Sequence, residues 1–132
     1  MDSISIKVPV TVKAKLTEKL KERLINDFTK TAEQMNLEIK QIEIDRKREL
    51  DNNPEQAGRI SQFFGNEIAQ RRQRIAEANA RKETVEKLTI GAEITQGTLE
   101  RQVELKIGDN MREIMNVEVL IEDDKIIAIR GI

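Results

Sequence analysis

The sequence predicts an α+β protein with a long antiparallel helical hairpin, a coiled-coil stalk, on a small antiparallel β-sheet or barrel made from the N- and C-terminal segments. Three observations predict this fold. The 132 residues are 36% charged and only 2% aromatic, a composition typical of long helices rather than of a globular core. Apolar residues recur every three or four positions through the middle of the chain, which indicates helix, and at alternate positions near both ends, which indicates strand.

These patterns divide the chain into two predicted domains. Residues 1-15 and 89-132 would form a discontinuous β head, and residues 16-88 would form the stalk, with its turn near 51-54. The two arms of the stalk are nearly equal in length, so the hairpin would return the chain to its starting point. The terminal strands could then share one sheet, which no single segment could stabilise alone.

The N-terminal strand is predicted from alternating apolar residues, which are Ile4, Ile6, Val8, Val10 and Val12. Pro9 lies among them and cannot donate a backbone hydrogen bond. We therefore expect this strand at an edge of the sheet.

The turn of the stalk is predicted from Asn53, Pro54 and Glu55. The Asn53 side chain can accept a hydrogen bond from a free backbone amide as an N-cap, and proline suits the first position of a helix. Glu55 would lie at the positive end of the helix dipole. One helix should therefore end just before this segment and another begin within it.

Each arm of the stalk has an apolar seam. In the first helix, which Thr17 opens, the seam residues are Leu20, Leu24, Phe28, Ala32, Met35, Ile39, Ile42 and Leu50. In the second helix they are Ile60, Phe64, Ile68, Ile75, Ala78, Val85 and Leu88. Spacings of three and four place each set on one helix face. Folding at the turn would set Phe28 opposite Ala78 and Met35 opposite Arg71, whose stem can lie along apolar surface.

The C-terminal segment predicts further strands. Gly91 should end the second helix, and Gln96-Gly97 should form a turn. Alternating apolar residues then predict a strand over 99-107, a short helix or turn over 111-115, and a β-hairpin from 117 to 129. With the N-terminal strand, four or five strands are expected.

Several segments together resemble a known family. They are the β segment Lys7-Val8-Pro9-Val10-Thr11-Val12-Lys13, the charged helical middle, and the tail from Gly108-Asp109 through Val119-Leu120-Ile121-Glu122-Asp123-Asp124-Lys125 to Arg130. In this the chain resembles the YlqD family of small bacterial proteins. The resemblance implies a fold, and it implies no activity, catalytic residue or binding residue.

The amino-acid composition excludes several kinds of catalytic and metal-binding site. The chain has no cysteine and no histidine, which removes thiolate nucleophiles, the usual zinc sites and the proton shuttle that works near neutral pH. We expect no catalytic residue, no cofactor, no metal site and no enzymatic activity. The net charge of -1 gives no broad attraction for nucleic acid. No leader-like or membrane-spanning segment is recognisable, so we expect a cytoplasmic protein that does not enter a membrane.

Four apolar residues fall outside the predicted seam and form a candidate partner-binding surface: Ile25, Leu37, Ile44 and Phe63. A second apolar stripe on a helical stalk indicates another helix packing there. Self-association through the stalk is therefore expected, and a different protein partner is the alternative. On this basis the function expected is that of a non-enzymatic structural or protein-interaction protein.

A second set of candidates leads to an alternative function. Arg71, Arg72 and Arg74 could bind phosphate groups, although interleaved glutamates favour a solvated, salt-bridged helix face. The turn carries acidic residues that resemble, in position only, the tip with which Gre-type transcript-cleavage factors help hold magnesium; these are Glu49, Asp51 and Glu55. The alternative is an accessory factor that binds RNA or the transcription machinery through the stalk arginines or the acidic tip.

Overall fold

The structure is a computed structural model that describes residues 1–131. Within this range the chain divides into two compact units. One consists of Met1–Leu20 together with the C-terminal segment from Thr89, and the other is Lys21–Leu88. We call them the β unit and the helical hairpin.

The helices and strands follow in the order β1 (Ser3–Lys15), α1 (Glu18–Asn52), a 3₁₀ helix (Pro54–Gln56), α2 (Ala57–Lys87), β2 (Glu93–Lys106), α3 (Met111–Met115), β3 (Val117–Glu122) and β4 (Lys125–Gly131). The long helices occupy the predicted middle of the chain and the strands its two ends. The predicted α+β fold is confirmed.

The two long helices form an antiparallel hairpin. The Lys21 ammonium donates hydrogen bonds to the carbonyl oxygens of Glu86 and Leu88 at 3.1 and 2.9 Å. Farther along, Arg71 Nε lies 3.9 Å from a carboxylate oxygen of Glu38. Contacts between such distant positions require the chain to reverse between the helices, as predicted.

The predicted seams are the faces that the hairpin turns inward. Within the hairpin, the buried apolar residues are Met35, Ile39, Ile60, Ile68, Ala78 and Val85, all of which belong to the predicted seams. The other seam residues of the hairpin are half-buried. Burial of each such side chain contributes about 1.5–3 kcal/mol at full burial, so the seam is the main source of stability for the pair.

The turn between the helices differs in one detail from the prediction. Pro54 occupies the first turn of the 3₁₀ helix, as expected, but the Asn53 side chain makes no capping hydrogen bond. Its amide nitrogen donates instead to the Glu49 carboxylate at 3.1 Å. The predicted Asn53 cap is therefore wrong, because the preceding helix supplies a charged acceptor that competes for the side chain.

The sheet has the strand order β2-β1-β3-β4 within the described residues. β1 pairs antiparallel with β2, β3 pairs antiparallel with β4, and β1 pairs parallel with β3. The sheet is thus mixed rather than wholly antiparallel. The register explains this: β2 ends beside Ser3, whereas β3 begins its pairing beside Thr11. The chain therefore runs back along β1 through the α3 region before β3 starts, and β3 leaves in the direction of β1.

Pro9 lies in an interior strand and not in an edge strand, so that expectation is wrong for β1 as a whole. The pairing of β1 with β3 is limited to Thr11–Ala14, however, whereas the pairing with β2 extends from Ser3 to Lys15. Pro9 precedes the stretch of β1 that is paired with strands on both sides. The missing amide is tolerated because one side of β1 is still open at this point.

The segment Gln96-Gly97 is not a turn. β2 runs through it, and the register with β1 shifts between Val12, which pairs with Gly97, and Lys13, which pairs with Thr95. Gln96 is therefore the extra residue of a β-bulge. Glycine is common at a bulge as well as in a turn, so the local sequence alone did not separate the two.

The segments that lead into and out of the hairpin are joined by backbone hydrogen bonds within the β unit. Leu16 is fully buried. Its amide donates to Ala92, and its carbonyl oxygen accepts from Gly91, both at 2.7 Å. Gly91 has φ of +96°, a left-handed conformation that glycine adopts without strain. α2 itself ends at Lys87, and the next residue, Leu88, is already extended. Gly91 therefore lies beyond the helix and does not end it, contrary to the expectation from the sequence.

Candidate functional site

The outer face of α1 carries two exposed apolar side chains. Leu37 is 60% exposed and Ile44 is 54% exposed. They are seven residues apart and therefore lie on one face of the helix. Each follows a seam residue by two positions, Met35 and Ile42, which places both on the side of α1 opposite the seam. The pair forms an apolar surface that the hairpin does not use for its own packing.

The other two predicted members of this surface have different surroundings. Phe63 is 61% exposed, and its ring packs edge-to-face on Phe64 with the ring centroids 5.2 Å apart. The Lys21 and Arg71 contacts set Phe63 at about the same height along the hairpin as Ile44. Ile25 is half-buried on α1. Three of the four candidates are thus exposed, and Leu37 and Ile44 share one helix face.

The three candidate arginines have different surroundings. Arg71 lies among the seam residues, and its guanidinium donates to the Glu67 carboxylate at 2.5 Å. Its Nε is buried without a hydrogen-bond partner. Arg72 and Arg74 are exposed. Arg71 is therefore held by carboxylates within the hairpin, while its two neighbours are accessible to solvent.

Arg74 also lines a shallow groove on the hairpin. The groove is lined by Phe28, Thr31, Arg74, Glu77, Ala78 and Arg81. Phe28 and Ala78, the large and small residues that the seam prediction set opposite each other, thus line the same groove. Glu77 lines the groove together with Arg74 and Arg81, so the groove carries both positive and negative charge.

The acidic tip is a solvated turn. Glu49, Asp51 and Glu55 are all exposed, and Glu49 accepts the hydrogen bond from Asn53. In the described part of the chain, no group of three or more histidine, cysteine, aspartate or glutamate residues is arranged to hold a metal ion. The charges suit the helix ends on which they lie.

The most buried charged side chain lies in the β unit, and sequence reasoning did not single it out. Glu118 on β3 is 3% exposed. Its carboxylate accepts from Lys13 of β1 at 2.9 Å and from Arg130 of β4 at 2.5 Å. Arg130 also donates to Glu93 of β2. Side chains from all four strands therefore meet in one ionic cluster.

The charges of this cluster shift one another's pKa values. The hydrogen bond from Lys13, followed by that from Arg130, lowers the pKa of Glu118 below its ordinary value, and burial opposes this only in part. Glu93, followed by Glu118, raises the pKa of Arg130. Both groups are therefore charged across the physiological range, and the cluster is a fixed cross-link rather than an acid–base pair.

The cluster lies on the more buried face of β3. Val117, Val119 and Ile121 are half-buried, whereas Glu118 and Leu120 are buried. The apolar alternation that predicted the strand did not show that this glutamate lies on the buried face. A single glutamate between valines was the available signal, and its meaning depended on Lys13 and Arg130, which are distant in sequence.

A comparison with protein-family models matches residues 4–130 to the family described as YlqD protein. The chain belongs to the YlqD family. The match covers nearly the whole chain and includes both the strands and the helical hairpin.

A solved structure shares the fold of this YlqD-family protein. It is the crystal structure of a protein of unknown function from Synechococcus sp. WH 8102, with a TM-score of 0.89 and 24% sequence identity. The similarity covers 99% of this chain and 100% of that one. The comparison with curated proteins gives no match.

Over residues 1–131, no helix of this YlqD-family protein combines the length and the apolar character needed to cross a bilayer.

Proposed function

We propose that this YlqD-family protein is a non-enzymatic interaction protein whose helical hairpin binds another protein chain through the outer face of α1. The observation that carries this proposal is the pair Leu37 and Ile44. Both are more than half exposed, whereas the seam residues of the same helix are buried or half-buried. Residues at this spacing fit the groove of a second helix, in the manner of a coiled coil. Self-association is part of the proposal.

The strength of the expected contact follows from the size of the surface. Full burial of a large aliphatic side chain contributes about 1.5–3 kcal/mol, and association costs at least about 4 kcal/mol in lost freedom. Two or three apolar residues therefore support only a weak contact on their own. Polar contacts around them must supply the rest, and the surrounding face of α1 is rich in exposed charged residues.

The test uses the full chain with both Leu37→Gln and Ile44→Gln. We expect the variant to lose self-association in sedimentation and to lose captured partners in a pull-down from native cytosol. Its helical circular dichroism should remain, since neither residue belongs to the seam. The matched control is Asn36→Gln with Glu43→Gln, which introduces the same side chain at two exposed positions of α1 that are also seven residues apart but lie outside this face. Equal association by wild type, variant and control would refute the role of this surface.

An alternative function, binding of RNA or of the transcription machinery, rests on the exposed Arg72 and Arg74. Phosphate contacts of this kind weaken steeply as salt is raised. Retention on an RNA column that falls with salt, and that is lost when both arginines are changed to glutamine, would favour the alternative. A cytoplasmic location is proposed from the sequence and can be checked by cell fractionation.

A further inference from the structure

The charges on the exposed face of α1 are complementary to those of a second, antiparallel copy of the same face. Beyond Leu37 and Ile44, the face continues with residues that are all exposed: Lys30, Glu33, Gln34, Lys40, Gln41, Lys47, Arg48 and Asp51. Positive and negative residues are distributed unequally about the midpoint between Leu37 and Ile44. This arrangement distinguishes an antiparallel from a parallel partner.

Placing two α1 faces antiparallel, with Leu37 at the height of the second copy's Ile44, pairs opposite charges. Glu33 then stands at the height of the second copy's Arg48, and Lys30 at the height of its Asp51. By symmetry each pair occurs twice, on either side of an apolar centre. Lys40 and Lys47 meet the second copy's Gln41 and Gln34, so no like charges stand at the same height, although the two Lys40 residues come within one residue of each other at the axis.

The parallel arrangement has the opposite property. In register, it would place Lys30, Glu33 and Arg48 each beside the identical residue of the second copy. Like charges at helix-packing distance are destabilising. Charge therefore selects the antiparallel arrangement even though the apolar pair alone would allow both.

We propose that two copies of this chain associate through α1, antiparallel about a twofold axis at the height of Lys40 and Gln41. The Leu37 and Ile44 side chains of both copies form the apolar centre, and the Glu33–Arg48 and Lys30–Asp51 pairs flank it. Such an interface is isologous, since each surface meets its own copy, and it closes at a dimer. This inference rests on the proposed function and names its partner and geometry.

The principal test exchanges charges. Glu33→Lys places a lysine beside the second copy's Arg48, and Arg48→Glu places a glutamate beside its Glu33. Each single variant should raise the dimer dissociation constant in sedimentation by about tenfold, since two attractive pairs become repulsive. The double variant Glu33→Lys with Arg48→Glu restores opposite charges and should return the constant to near the wild-type value. A double variant as weak as the singles would overturn the pairing.

A second test reports orientation. The chain has no cysteine, so one introduced cysteine is unique. Gln41→Cys lies next to the axis and should form a disulfide-linked dimer under mild oxidation. Lys30→Cys is the control, because its two copies would be separated by about 30 Å at 1.5 Å per residue. Equal cross-linking at both positions would indicate a parallel pair and refute the proposal.

The outcomes also separate this inference from the proposed function. A wild-type chain that is monomeric at high micromolar concentration overturns the dimer. If that monomer still captures a different protein, and the capture is lost with Leu37→Gln and Ile44→Gln, the interaction function stands without the dimer. If neither dimer nor capture depends on these two residues, both proposals fail.

Discussion

The Thr17 hydroxyl donates a hydrogen bond to the Asp123 carboxylate at 2.8 Å, although the two residues are 106 positions apart. The same hydroxyl oxygen accepts from the Leu20 amide at 3.1 Å and so caps α1. Thr17 had been predicted to open the first helix, and that prediction is confirmed. One side chain thus fixes both the start of α1 and the position of the turn between β3 and β4.

Replacing Thr17 by valine should destabilise the β unit. Valine keeps the shape of the side chain but removes the cap and the bond to Asp123, and loss of a helix cap costs about 1 kcal/mol. Urea unfolding of the full chain would measure the change. Thr17→Ser is the control, since serine retains the hydroxyl, and it should unfold at nearly the wild-type midpoint. A loss for serine with none for valine would show that the methyl contacts matter and the hydroxyl does not.

The turn that holds Asp123 has two left-handed residues. Asp123 and Asp124 have φ of +46° and +68°, as a two-residue hairpin turn requires. Asp124→Gly should relieve this conformation and leave stability unchanged or raise it by up to about 1 kcal/mol. Asp123→Gly gains the same freedom but loses the bond to Thr17, so it should be the less stable of the two. Thermal unfolding of both variants makes the comparison, and the reverse order would contradict it.

The sequence was most informative where one element could be assessed by itself. Ile60 and Ile68 could be assigned to a seam because spacing along a helix determines which face a residue occupies. The opposition of Phe28 and Ala78 followed once Pro54 marked the turn. These inferences need only local geometry and a single reversal of the chain.

The sequence was least informative where a residue's meaning depended on a distant partner. Glu118 is buried because Lys13 and Arg130 reach it from other strands, and no local pattern reports this. The parallel pairing of β1 with β3 depends likewise on the path of the chain through α3. Leu37 and Ile44 could be placed opposite the seam from spacing, but that both stay more than half exposed became clear only with the packed hairpin.

The Glu118 cluster predicts an acid-sensitive β unit. Lys13 and Arg130 lower the pKa of Glu118 in the folded state, so the unfolded chain binds a proton more readily. The stabilisation is therefore fully present above the ordinary glutamate pKa of about 4.5 and is lost as the pH falls through the lower folded value. Glu118→Gln should unfold at lower temperature at pH 7 and show a flatter dependence below pH of about 4.5. An unchanged slope in that variant would assign the acid sensitivity to other carboxylates.

The buried Leu16 predicts a large loss on truncation. Leu16 is fully buried, whereas Leu99 is 60% exposed. Leu16→Ala leaves a cavity and should cost about 2–5 kcal/mol, while Leu99→Ala should cost well under half of that. Chemical unfolding of the two variants gives the comparison directly. Similar losses would mean that the Leu99 side chain is covered in solution, as it would be by a partner on that face of the sheet.

The opposition of Phe28 and Ala78 predicts how the hairpin responds to overpacking. Ala78 is buried, and it lines the same groove as the Phe28 ring. Ala78→Leu would add three carbon atoms where the ring already lies, and overpacking of this kind costs about 1–3 kcal/mol. Ala80→Leu is the matched control, since Ala80 is exposed on the same helix and leucine is nearly as good a helix former as alanine. The thermal unfolding temperature should fall for Ala78→Leu and stay unchanged for Ala80→Leu. If Ala78→Leu causes no further loss when it is added to Phe28→Ala, the strain lies in this pair, since the smaller residue at position 28 makes room for the larger one at position 78.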